Sequence, residues 1–196
     1  MVMNEIKRIH DQARENHIPI MMDDGMEFLL DYIEHHENIR DILECGTAVG
    51  YSAIRMAKIR WDMTVDTLEI DPVMYEQAKK NVENEGLSER IKCYLADAAD
   101  FETEKKYDLI FIDAAKSQYR RYLEHFMKNS LPKTVFVFDN LNFHGIVDTP
   151  SLSSNRSTLQ MTRKIGKFRN HILHDERFET AFYPAVGDGI AIMIRK

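Results

Sequence analysis

Three features of the sequence predict an α/β fold. The sheet is doubly wound and mostly parallel, with seven strands and a C-terminal antiparallel hairpin. From Asp41 onward, short apolar runs of strand length alternate with amphipathic stretches of helix length. Such alternation requires crossover connections, which leave successive strands parallel and cover both faces of the sheet with helices. The last two apolar runs instead flank a short Val186-Gly-Asp-Gly189 turn and so close back on each other. With 196 residues, 44% hydrophobic and 30% charged, the chain suits one domain over 1–196 with its own core.

The elements follow in order. Residues 3–15 are predicted helical, and a second helix is predicted over 26–35. That helix carries Met26, Leu29, Leu30 and Ile33 on one face, with Asp23 or Asp24 as its cap. Residues 41–45 form a strand ending in a Gly-containing turn, followed by a helix over 51–60 and a strand over 63–70. Asp71-Pro72 reads as an N-cap with proline at the first helical position, opening a helix to about residue 83. Gly86 supplies a left-handed end to that helix, with Leu87 packed behind it. Strands are predicted over 91–95, 107–113 and 134–139, with a helix over 118–128 between the last two. Residues 141–156, with Gly145 and Pro150, read as a long loop. A helix over 157–174 and a hairpin of 178–183 with 190–194 complete the chain.

Composition narrows the class. Eight Gly and five Pro are too few for a low-complexity chain, and no apolar run approaches the roughly 20 residues of a membrane span. Residues 1–16 are charged throughout and lack an apolar signal core, so a cytoplasmic protein with no membrane partner is expected. Cys45 and Cys93 both fall in predicted strands, where they read as small buried hydrophobes. His171 and His174 read as solvent-facing, and Trp61 as packed at the start of the 63–70 strand. The net charge of −6 is unevenly spread: residues 1–115 carry −12 and residues 116–170 carry +7. Such a split points to an anionic partner for the later stretch, a solvated helix face being the alternative.

In an open parallel sheet, ligands bind beyond the carboxyl ends of the strands. The first strand ends in Glu44-Cys-Gly-Thr-Ala-Val-Gly-Tyr-Ser52. Gly46 and Gly50 flank a turn where a ligand can approach the backbone closely. A dinucleotide fingerprint needs glycine where Ala48 and Tyr51 stand, so a pyrophosphate site, and with it a nicotinamide oxidoreductase, is disfavoured. Glu69, at the end of the second strand, is placed to accept from ribose hydroxyls, because Asp71 is already accounted for as a cap. A ribose without a pyrophosphate describes S-adenosylmethionine. Asp97 and Ala98, after the third strand, are candidates to border its adenine. The fourth and fifth strands end in Asp113-Ala-Ala-Lys116 and Asp139-Asn140. Asp113, Asp139 and Asn140 are a hard oxygen set suited to Mg²⁺ or Mn²⁺. Lys116, beside such a cation and a sulfonium, is the candidate general base.

Taken together and in this order, these motifs resemble the metal-dependent class I methyltransferases of the catechol O-methyltransferase-like family, with their Rossmann-like fold. The resemblance runs from about Ile18 to the C-terminus and includes the closing Gly-Asp-Gly. It implies cofactor contacts at Met21, within the 20–22 segment, and at Glu44, Gly46, Thr47, Ala48, Gly50, Ser52, Glu69, Asp97, Ala98 and Asp113. It implies Asp113, Asp139 and Asn140 as metal ligands, Asp113 and Lys116 as the catalytic pair, and a homodimer. Animal catechol enzymes carry His-Trp after the metal aspartate, where this chain has Ala114-Ala115. Within the family the sequence most resembles the bacterial branch that includes tRNA 5-hydroxyuridine methyltransferases, and the +7 stretch agrees with tRNA as the favoured acceptor. A small catechol-like or hydroxylated aromatic acceptor, with Phe143 and His144 lining its pocket, is the alternative. A non-catalytic cofactor-binding module is a distant third.

Overall fold

The computed structural model describes residues 5–196. Thirteen of its elements are helices or strands: α1 (Glu5–Glu15), α2 (Asp23–Glu34), β1 (Asp41–Cys45), α3 (Tyr51–Ala57), β2 (Thr64–Glu69), α4 (Pro72–Asn84), β3 (Ile91–Leu95), β4 (Tyr107–Ile112), α5 (Tyr119–Phe126), β5 (Ser130–Phe138), α6 (Arg156–Ile172), β6 (Phe178–Tyr183) and β7 (Ile190–Arg195). The first two positions of the predicted 3–15 helix lie outside the described residues. Single 3₁₀ turns at Lys116–Gln118 and Met127–Asn129 bracket α5, and another at Pro150–Leu152 interrupts the loop before α6.

The seven strands form one sheet in the order β3-β2-β1-β4-β5-β7-β6. β1 to β5 are parallel, and β7 runs antiparallel to both β5 and β6. The order reverses between β1 and β4, which opens a crevice above their carboxyl ends. β1 and β4 are buried along almost their whole length, because helices cover both faces and every side chain meets a core. On one face α1, α2 and α3 seat Ile9, Met26, Leu29, Ile33, Ile54 and Met56 against the sheet. On the other, α5 and α6 seat Tyr119, Leu123, Phe126, Ile165 and Phe168. Among the described residues, no helix is long and apolar enough to cross a membrane.

Several local expectations are corrected. Asp23 and Asp24 stand inside the first turn of α2, whose N-cap is Met22; Asp23 instead pairs with His10 and Arg14. β5 begins four residues before the expected Thr134, since Leu131, Pro132 and Lys133 are exposed and the register slips between Tyr107 and Leu109. A proline at an exposed strand entry hides the strand from a periodicity argument. Trp61 is 87% exposed and packs against nothing substantial, because α3 stops at Ala57 and residue 61 falls on a surface turn. Cys45 is fully buried, whereas Cys93 on the edge strand is only partly so, although its burial still pushes the thiol up to about 11. By contrast, Asp71 caps α4 by accepting from the Val73 and Met74 amides, and Gly86 takes φ +67°, as expected.

Candidate functional site

The turn after β1 is built on glycine where backbone meets backbone. Gly46 has φ +104°, and a Cβ there would lie 2.3 Å from the Asp113 carbonyl oxygen. This contact locks the end of β1 to the end of β4, with Asp113 N donating to Cys45 O at 3.0 Å. Four amides of the turn already have protein acceptors. Gly46 N and Thr47 N donate to Leu68 O, Gly50 N to Thr47 O, and Ala48 N to the Glu69 carboxylate. The turn therefore offers a ligand close approach rather than an array of free donors for phosphate. Glu69 is fixed in turn: its Oε2 accepts from Ala48 N at 2.8 Å, and its Oε1 from Ile70 N and Asp71 N at 2.9 Å. Glu69 also lines the cleft.

That cleft has a volume of about 650 Å³ and lies over the carboxyl ends of β1 to β5. Of the expected site residues, Met21, Gly46, Ala48, Glu69, Asp97, Ala98, Asp113, Lys116, Asp139 and Asn140 line it together. Phe143 and His144 line it as well. Four expected cofactor contacts, Glu44, Thr47, Gly50 and Ser52, are absent from its walls. The reason is depth. Glu44 is fully buried beneath the turn and accepts from Ser52 Oγ and from Thr67 Oγ1, and the Thr67 hydroxyl is in turn bonded to that of Thr47. Burial pushes the Glu44 carboxyl up to about 7, with the charges of Asp113 and Glu69 adding to the rise and the two hydroxyls opposing it.

At the opposite wall, β4 and β5 place their terminal carboxylates side by side. Lys116, on the first turn beyond β4, donates from Nζ to Asp113 Oδ1 at 2.5 Å. Asp139 is 1% exposed, its Oδ1 accepts from Asn140 N at 2.6 Å, and its carbonyl accepts from the buried Tyr119 hydroxyl at 2.7 Å. Burial and then the negative charge of Asp113 push Asp139 up to about 7. A buried carboxylate whose charged form is disfavoured beside the negative Asp113 is what a divalent cation would relieve, and the neighbouring Asn140 adds a neutral oxygen. The donor set fits such an ion. Among the described residues no three His, Cys, Asp or Glu side chains form a metal-holding group, so the amide and solvent would complete the shell.

Two contributors escaped the sequence reading. Tyr119 fixes the backbone of Asp139 from below, on a helix position that reads only as core. Asp188 lines the cleft at 7% exposure; in sequence it stands only within the closing Gly-Asp-Gly motif, with no role of its own. Its placement beside Asp139 depends on the β5–β7 pairing, which no local pattern announces.

An O-methyltransferase family model matches residues 1–196. A catechol O-methyltransferase from Niastella koreensis is 32% identical over 168 residues, covering 80% of this chain and 74% of that protein. A crystal structure from Staphylococcus aureus, provisionally named a caffeoyl-CoA O-methyltransferase, superposes with a TM-score of 0.92 at 28% identity, covering 99% of this chain and 93% of that one. An O-methyltransferase from Bacillus cereus in complex with SAH superposes with a TM-score of 0.82 at 25% identity, covering 100% and 93%.

Proposed function

From the premise that the chain belongs to the O-methyltransferase family and is a S-adenosylmethionine-dependent enzyme of it, we propose that its acceptor is a small catechol-like compound methylated at one of two adjacent hydroxyls. The observation that carries this reading is the pairing of Asp113–Lys116 with Asp139–Asn140 across one cleft from Glu69. Bound there, the cofactor supplies an electrophilic methyl group. A Mg²⁺ or Mn²⁺ ion held by Asp113, Asp139 and Asn140 would acidify the acceptor hydroxyls.

The residues of the chain then divide the work. Glu69 holds the ribose end through oxygens oriented by three backbone amides, and Asp97 and Ala98 border the base. The close Gly46–Asp113 contact sets the distance between cofactor and acceptor walls, so positioning carries much of the rate. Lys116 Nζ, which donates to Asp113 here, accepts the acceptor hydroxyl proton as the neutral amine, having first released its own ammonium proton to solvent, and passes the new proton to solvent after transfer. Ala114 and Ala115 leave space that bulkier residues would fill, which suits a planar ring. Phe143 offers that ring an apolar face.

The tRNA acceptor is the less supported reading. The catechol O-methyltransferase relative points to small acceptors, and the basic stretch that favoured RNA is partly neutralised within the protein. Arg121 pairs with Asp100, Lys128 with Glu102, Lys116 with Asp113, and Arg169 with Asp148. Arg169 turns inward, donating to Asn142 Oδ1 at 2.9 Å and lying over the Phe182 ring. On α6, Arg156, Arg163, Lys164 and Lys167 remain exposed.

The test is methyl transfer from labelled S-adenosylmethionine to a catechol panel and to tRNA carrying 5-hydroxyuridine, each with Mg²⁺ and with a chelator. Metal-dependent labelling of catechols alone supports the proposal. Labelling of tRNA alone overturns it.

A further inference from the structure

The 141–145 loop, which forms the acceptor side of the cleft, is held in a conformation that its own residues disfavour. Phe143, His144 and Gly145 take φ +45°, +56° and +77°, three left-handed residues in succession, and two of them are not glycine. Left-handed backbone at bulky residues persists only where the surroundings impose it. Those surroundings are the Gly187–Gly189 turn. Leu141 N donates to Gly189 O at 2.9 Å and Asn142 N to Asp188 O at 2.8 Å. One side-chain bond from the turn reaches into the left-handed trio itself: His144 N donates to Asp188 Oδ1 at 2.7 Å. The turn is packed so tightly on the loop that a Cβ on Gly189 would lie 2.7 Å from Asn142 Cγ.

The Asp188 carboxylate is 93% buried and has a second oxygen, Oδ2, with no hydrogen-bond partner. The His144 ring nitrogen lies 3.7 Å from it, outside bonding distance, and the ring is largely exposed. The same turn meets the cofactor side, because Gly187 N donates to Asp24 Oδ2 at 2.9 Å and Gly187 packs against Gly25. Asp24 and Gly25 follow directly on the Met21–Met22 wall of the cleft.

We infer that Asp188 is a positioning residue for the acceptor: by holding His144 N–H it keeps Phe143 and His144 against the cleft, where they orient the ring that is to be methylated. This rests on the catechol-type reading above. The role belongs to one oxygen acting as a hydrogen-bond acceptor, not to the negative charge. Asparagine keeps that acceptor and alanine removes it.

The experiment compares Asp188→Asn and Asp188→Ala with wild type in three readouts: acceptor KM and kcat with a catechol, S-adenosylmethionine affinity by calorimetry, and amide hydrogen exchange over 141–146. Asp188→Ala is expected to raise acceptor KM about tenfold or more, since small misplacement of a reacting partner is costly. Cofactor affinity should stay within about twofold, and exchange at His144 should quicken about tenfold, as for the loss of a local ordering bond. Asp188→Asn should remain within about threefold of wild type in all three, the spread of a conservative exchange. Equal failure of both variants would show that the charge matters and overturn the inference, as would an alanine variant with unchanged KM and exchange. Should Asp188→Ala not fold, Asp188→Asn decides alone: near-normal KM and exchange support a role for the acceptor oxygen without the charge, and a KM raised about tenfold or more ends it. The exchange readout needs no turnover, so failure of the catechol reading would be visible separately.

Discussion

Asp113 has three contacts that bear on chemistry: its carboxylate takes Lys116, its charge bears on Asp139, and its carbonyl touches Gly46. Replacing its side chain by alanine removes the first two and spares the third. Asp113→Ala is therefore expected to lower methyl transfer by about 10³-fold or more, the scale of lost charge stabilisation at a reacting centre. Cofactor affinity measured by calorimetry should change little. Glu69→Ala should do the reverse, weakening cofactor binding about 10- to 100-fold, because a charged hydrogen-bonding group contributes about 1.5–3 kcal/mol. Glu44 makes a pH prediction. Its folded carboxyl is pushed up to about 7 by burial, above the ordinary value of 4.5, so the native state holds the proton that the unfolded chain releases. Stability from this group is then greatest below about pH 4.5 and falls as pH rises toward 7, by at most about 3 kcal/mol. Glu44→Gln should flatten that slope in urea melts at pH 5 and pH 8. An unchanged slope would place the pH dependence elsewhere.

Among the elements, turns rather than strands carry the risk. Gly46→Ala adds a carbon 2.3 Å from the Asp113 carbonyl at a φ of +104°, so either the β1 turn or the β4 end must move. A loss of about 2–4 kcal/mol is expected, typical of combined backbone strain and overpacking, together with loss of cofactor binding. Asp71→Ala is the contrasting case. It removes an N-cap accepting two amides at the start of α4, which should cost about 1 kcal/mol and a few degrees of melting temperature. Turnover at the remaining folded protein should be unchanged. Element positions were largely legible where the chemistry was local: Asp71-Pro72 and Gly86 define α4 by themselves. They were not legible at β5, where Pro132 and exposed neighbours interrupt the pattern while the sheet continues.

At the scale of the whole molecule, charge and topology separate. The +7 of residues 116–170, in which Asp148 already offsets Arg169, is further opposed in space by Asp100 and Glu102 from the acidic first part of the chain. Reversing Arg163, Lys164 and Lys167 to glutamate should thus leave catechol methylation within about twofold, as expected of exposed charges remote from the chemistry. A large loss would bring an anionic partner back into consideration. The strand ends that name the chemistry, Glu69, Asp113-Ala-Ala-Lys116 and Asp139-Asn140, could be read from sequence, because apolar runs must stop where side chains meet solvent or ligand, and the residues at those stops are local facts. The sheet order β3-β2-β1-β4-β5-β7-β6 turns them into one cleft. Only the tertiary structure decided that Glu44, Thr47 and Ser52 lie beneath the turn and not in the cleft, that Arg169 turns inward, and that Asp188 stands beside Asp139. Apart from the Ser52–Glu44 bond within one turn, those placements are made by segments distant along the chain, through burial and pairing that no run of neighbouring residues encodes.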